Sequence, residues 1–137
     1  LKETLNTLVE AGMVLGIISN AQFYTPLLFQ WFLGQELDGL GFDPHLTIFS
    51  YEWGCAKPSQ RIFKIARRRL IAMGIDPSKI LYVGNDMRND ILGAHEAGAR
   101  AVLITAAVDR GSRETKADAV CSDYRELAAV LSSLDRS

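Results

Sequence analysis

Val83-Gly84-Asn85-Asp86-Met87-Arg88-Asn89-Asp90 is where an apolar run empties into a glycine-containing turn followed by two carboxylates four residues apart. A short run of branched and apolar residues closed by such a turn reads as a buried strand, and the acids then stand at its carboxyl end. Two upstream segments have the same form. Leu15-Gly16-Ile17-Ile18 runs into Ser19-Asn20, and Thr47-Ile48-Phe49-Ser50 runs into a loop carrying Lys57-Pro58.

In an open α/β sheet, residues just after successive strands converge at the carboxyl edge even when far apart in sequence. The convergent set is then a hydroxyl, a lysine and a carboxylate pair. Carboxylates suit a hard cation such as Mg²⁺, a lysine neutralises phosphate oxygens, and a hydroxyl with nearby N–H groups orients them. That combination points to phosphoryl transfer, with no nucleophile in the set.

These motifs, in this order, resemble the haloacid-dehalogenase-like (HAD) hydrolases over roughly residues 1–125. The second motif of that family, a strand ending in Ser or Thr, is matched by Ile17-Ile18-Ser19-Asn20. The third, a Lys before a helix, is matched by Cys55-Ala56-Lys57-Pro58-Ser59-Gln60-Arg61-Ile62-Phe63. The fourth is matched by Tyr82-Val83-Gly84-Asn85-Asp86 with Asp90, continued by Ile91-Leu92-Gly93-Ala94-His95-Glu96-Ala97-Gly98. The first motif, Asp-x-Asp after an apolar strand, occurs nowhere in the chain. The resemblance therefore implies a single partial core domain over 1–137: a three-layer, Rossmann-like parallel sheet with helices on both faces and its first central strand missing. A specificity cap would lie upstream of residue 1.

That missing strand should sit between the strand ending at Ser19 and the strand ending near Gly84. If it buries ~4 large apolar side chains at ~1.5–3 kcal/mol each, its loss is worth ~6–12 kcal/mol. A typical total stability is ~5–15 kcal/mol. The expectation is that a companion segment or chain supplies the strand.

Composition bounds the reading from outside. With 137 residues, 48% hydrophobic and 23% charged, the chain fits about one domain. A net charge of −1 argues against nucleic acid or an anionic membrane as partner. Arg67-Arg68-Arg69 falls in an amphipathic helix and reads as a solvated face. No apolar run approaches the ~18 residues of a membrane span. Cys55 and Cys121 lack metal spacing, so they read as reduced thiols of a cytoplasmic protein.

Helices and strands alternate along the chain. Leu1, Leu5, Leu8 and Val9 share a helical face, with Gly12 as the residue that ends it. Strands are expected at 13–18, 47–50, 80–83, 101–104 and 119–121, and helices at 25–33, 59–73 and 91–97. Gly39, Gly41 and Pro44 mark a turn before the second strand. A last helix opens with a capping box of Asp123 and Glu126, and Leu127, Val130, Leu131 and Leu134 form its apolar stripe. Strands separated by helices imply right-handed parallel crossovers.

By resemblance, Ser19 and Asn20 bind the phosphorylated substrate, and Ser19 and Lys57 stabilise the transferring group. Asp86 holds Mg²⁺ directly, with Asp90 as a second or outer ligand. The bland reading of each is a turn-forming Ser or Asn, a solvated Lys, and an Asp that caps a helix. His45 and His95 fall on no motif, and Trp31 and Trp53 read as packing residues. The implied function is a Mg²⁺-dependent phosphatase of small phosphorylated metabolites acting through an aspartyl-phosphate, on an Asp absent from this chain. The alternatives are a 2-haloacid dehalogenase and a non-catalytic HAD-like binding or regulatory module. A receiver-like or flavodoxin-like domain fits less well, because neither needs Lys57 before Asp86.

Overall fold

A computed structural model describes residues 1–106 and 116–134. In chain order the elements are α1 (Lys2–Glu10), β1 (Leu15–Ser19), α2 (Thr25–Leu33), β2 (Phe42–Phe49), α3 (Ser50–Trp53) and α4 (Gln60–Ala72). There follow a single 3-10 turn (Pro77–Lys79), β3 (Leu81–Gly84), a π-helical turn (Met87–Leu92), α5 (Gly93–Glu96), β4 (Arg100–Ile104), β5 (Ala119–Cys121) and α6 (Tyr124–Leu134).

All described strand pairs are parallel, but they form two sets. β1 pairs with β2, and β3 pairs with β4, which pairs with β5. Among the described residues no ladder joins β1 to β3. Across the gap, the Tyr82 hydroxyl lies 3.2 Å from the Ile18 carbonyl oxygen, to which it can donate.

Alternation along the strands shows the two faces. Ala101 and Leu103 of β4 join Ile48, Ile62, Phe63, Ile91 and Ala94 in one buried cluster beneath α4 and α5. Val102, with Leu81, Val83 and Ile104, faces the other way, packing with Cys121 of β5 and with Leu127 of α6. Successive strand residues point to opposite faces, so both faces need apolar side chains. The two helix layers therefore follow from the unbroken apolar runs of β3 and β4. The three-layer α/β architecture expected from the sequence is the one observed.

Several local readings shift. β2 starts at Phe42, five residues before the expected strand, and takes in Pro44. Pairing with β1 jumps from Leu15↔Phe42 to Ile17↔Thr47, an irregularity that accommodates the proline on an edge strand. Ser50 leaves the strand and opens α3. The segment after β3 becomes helical at Met87 rather than at 91. Leu5 and Leu8 of α1 are buried, while Val9 and the preceding Leu1 are exposed, as is Met73 just past the end of α4. Asp123 Oδ1 accepts from the N–H groups of Arg125 and Glu126, and Glu126 Oε2 accepts from Ser122 N–H, so the cap reaches one residue further back than expected. The side chain of Leu134 lies outside the described residues.

Trp53 is half-buried against the first cluster, with the Arg69 guanidinium 4.9 Å from its ring centre. Trp31 is 73% exposed on α2. Cys121 is buried, and burial, followed by the nearby charges of Glu126 and Asp123, raises its thiol pKa. His95 Nε2 lies 2.9 Å from Asp118 Oδ2, which also accepts from Ala101 N–H at 2.7 Å. Burial raises the Asp118 pKa, but the Ala101 and His95 hydrogen bonds and the His95 and Arg100 charges outweigh it, so the carboxyl titrates below its ordinary value. A group with a depressed folded pKa contributes stability that is present above its unfolded pKa, ~3.9, and lost as pH falls through the folded value. Asp118→Asn should therefore flatten the acid limb of the stability curve below about pH 4 and leave its neutral slope alone, as read by urea unfolding at stepped pH.

Candidate active site

The parallel strands bring their carboxyl ends to one edge, where Ser19 closes β1, Gly84 closes β3 and the Lys57 loop follows β2 and α3. At the centre is a buried ion pair. Lys57 Nζ lies 2.5 Å from Asp90 Oδ1, with the two side chains 14% and 3% exposed. The other Asp90 oxygen, Oδ2, accepts from the N–H groups of Asn85 and Asp86, both at 3.0 Å.

The backbone that makes this possible is specific. The Asp86 carbonyl accepts from Asp90 N–H at 2.9 Å and from Ile91 N–H at 3.2 Å, which widens the first turn and folds Asp90 back over the strand end. There it lies against Gly84. A Cβ at position 84 would collide with the Asp90 Cβ and stand 2.5 Å from its Cγ and Oδ2. Glycine at the strand end therefore makes room for the carboxylate.

Tyr82, which sequence reasoning placed only within a motif, is part of the same network. Its hydroxyl accepts from Lys57 Nζ at 3.1 Å, and its one proton can go to the Ile18 carbonyl oxygen at 3.2 Å or to Asp90 Oδ1 at 3.3 Å. Burial, and then the neighbouring Asp90 charge and hydrogen bond, push the phenol far above its ordinary pKa, so it stays protonated. The signal for Tyr82 was an aromatic hydroxyl two residues before the strand-ending glycine. Its role depended on what crosses the gap, which no spacing displays.

Asn20 contacts Lys57 through the backbone. Its Oδ1 accepts from Lys57 N–H at 2.7 Å and its Nδ2 donates to the Lys57 carbonyl at 3.0 Å. The next residue, Ala21, donates its N–H to Ser50 Oγ at 3.0 Å, and the Ser50 hydroxyl lies 3.2 Å from the Ala21 carbonyl. Ser50 was read in the sequence as a strand terminus only. Ser19 stands one residue before this junction, half-buried, and its side chain makes no hydrogen bond among the described residues.

Asp86 is exposed. Its Oδ1 accepts from Asn89 N–H at 2.6 Å, so it caps the turn that follows, and its Oδ2 is left open among the described residues. Lys57, Asp90, Asp86 and Asn20 are thus linked by direct hydrogen bonds, whereas Ser19 joins them only through the chain. Among the described residues no group of three His, Cys, Asp or Glu side chains is arranged to hold a metal ion. Asp86 Oδ2 is a hard oxygen donor, and both Asp90 oxygens are already engaged. That donor chemistry suits an ion such as Mg²⁺, which keeps several waters and takes one or two protein carboxylates.

Comparisons with known proteins converge on one group. The family described as HAD-hydrolase-like matches residues 54–127. A glyceraldehyde 3-phosphate phosphatase from Methanothermobacter thermautotrophicus is 38% identical over 115 residues, covering 81% of this chain and 46% of that protein. A phosphoserine phosphatase from Thermus thermophilus is 37% identical over 99 residues, covering 68% of this chain and 37% of that protein. Among solved structures, a HAD phosphatase from Thermococcus onnurineus superposes with a TM-score of 0.74 at 30% identity, covering 94% of this chain and 55% of the other. The chain spans about half the length, or less, of the proteins it matches. No helix among the described residues is long and apolar enough to cross a membrane.

Proposed function

Because the chain belongs to the HAD-like hydrolases, we propose that it forms the Lys57–Asp86–Asp90 half of a Mg²⁺-dependent phosphatase acting on small phosphorylated metabolites. The observation that carries this reading is the Lys57 ammonium, fixed by a buried carboxylate at the carboxyl edge of parallel strands. A cation held there can face phosphoryl oxygens without being free to swing into solvent. The printed activities of the similar phosphatases support the same reaction class.

In the proposed cycle, a carboxylate from a companion segment or chain attacks phosphorus, and an aspartyl-phosphate forms as the bond to the leaving oxygen breaks. A second carboxylic acid of that segment protonates the leaving group. Water then attacks the phosphorus, releasing inorganic phosphate and regenerating the carboxylate. Ser19 offers its open hydroxyl to a phosphoryl oxygen, and Lys57 balances the negative charge that accumulates on the group. Asp86 Oδ2 would hold Mg²⁺, whose part is to draw charge from the phosphoryl oxygens. Asp90 stays behind both, keeping Lys57 extended and the 85–86 backbone in place.

The segment that supplies the nucleophile would lie in the gap between β1 and β3, where each strand has an unpaired edge among the described residues. Such edges pair readily with added strands. The test is Mg²⁺-dependent phosphate release by the protein assembled with an Asp-x-Asp strand, across a panel of small phosphate monoesters. Asp86→Asn should lower turnover sharply, by about 100-fold, and leave the unfolding midpoint near that of the parent. Full activity in Asp86→Asn would remove Asp86 from the mechanism, and release of halide from 2-haloacids instead of phosphate would replace the reading.

A further inference from the structure

We propose that Asn20 is a positioning residue that anchors the Lys57 backbone to the mouth of β1, and not a ligand of the substrate. The proposal deepens the reading of Lys57 as the cation facing the phosphoryl group, and rests on it. The Asn20 amide contacts both backbone groups of one residue 37 positions away, accepting from its N–H at 2.7 Å and donating to its carbonyl at 3.0 Å. That is the pattern of a strand neighbour, made here by a side chain between two loops.

The physical need lies in lysine itself. Its charge sits on a flexible four-carbon stem, so its position must be set at both ends. Tyr82 and Asp90 fix the head, at 3.1 and 2.5 Å from Nζ. Asn20 fixes the root. Its own placement is secured by the next residue, because Ala21 is tied through both backbone groups to Ser50, the residue that follows β2. The junction at 20–21 therefore joins the end of β1 to two points of the segment leaving β2.

The residue type is decided by the same geometry. A primary amide carries a donor and an acceptor in one plane, so it can serve a neighbouring N–H and C=O together. Asp would place a second carboxylate oxygen against the Lys57 carbonyl, and Ser is too short to reach both. Both polar heavy atoms of the Asn20 amide are thus turned to the Lys57 backbone, one bond each.

A double-mutant cycle tests this in the phosphatase-competent assembly, using Asn20→Ala, Lys57→Ala and the pair, with inorganic phosphate release as readout. Asn20→Ala should lower kcat by about tenfold or more with KM changed less than about threefold, and the pair should be no slower than Lys57→Ala alone. Asn20→Asp should resemble Asn20→Ala. A raised KM with kcat intact would make Asn20 a substrate ligand, and effects that multiply in the pair would show that it acts apart from Lys57; either overturns the proposal. Amide hydrogen exchange in the same assembly separates the anchor from the reading it rests on. Asn20→Ala should abolish protection of the Lys57 amide, and unchanged protection would overturn the anchor whatever Lys57→Ala does to turnover.

Discussion

Gly84→Ala is expected to destabilise the protein by about 3–5 kcal/mol, the range found when a buried ion pair is broken. One methyl group has this effect because of where it points. The added Cβ would overlap Asp90, whose side chain cannot move outward without leaving the Lys57 ammonium and the N–H groups of Asn85 and Asp86. The strand is also held in place, since Gly84 of β3 is paired with Leu103 of β4, the central strand of that set. Overpacking alone would be worth about 1–3 kcal/mol; the remainder comes from the carboxylate and ammonium left without partners. Urea unfolding of Gly84→Ala beside Val83→Ala measures it. A Gly84→Ala protein as stable as the parent would mean that Asp90 has room the packing does not show, and phosphate release in the assembled protein should fall with stability.

Lys57→Ala is expected to separate two roles that a wild-type structure superimposes. On the proposed reading, in the protein assembled with an Asp-x-Asp strand it should lower phosphate release by about 100- to 1,000-fold, the usual effect of removing one group that stabilises developing negative charge. It should also destabilise the chain, because Asp90, 2% exposed, would keep its two N–H donors but lose its cation. Lys57→Arg should not restore activity: a planar guanidinium does not fit the point between Tyr82 and Asp90 that a compact ammonium occupies. Loss of stability with turnover intact would leave Lys57 a structural cation. Loss of turnover with stability intact would mean that Asp90 finds other partners.

The strands were legible because buried parallel strands are continuous apolar runs, and the ends of β1, β3, β4 and β5 fell within two residues of the sequence reading. The start of β2 was not: Gly39 and Gly41 do form the expected turn, but Pro44, read as part of it, lies inside the strand, where pairing across an irregular register overrides its turn signal. The helix after β3 was placed late for a related reason: a wide first turn has no apolar period of its own, and only Asp90 folding over Gly84 accounts for it.

By itself the sequence determined the parallel α/β architecture, the order of the motifs and the identity of Lys57, Asp86 and Asp90 as a group, since each depends on local pattern and on the rule that strand ends converge. Tertiary structure alone decided how they are arranged. Asp90 turns inward to Lys57 while Asp86 stays open to solvent, and Tyr82, Ser50 and Gly84 enter through contacts from residues far along the chain. The physical reason is that a motif fixes which groups can meet, whereas hydrogen bonding and close packing in the assembled edge fix which oxygen each donor reaches.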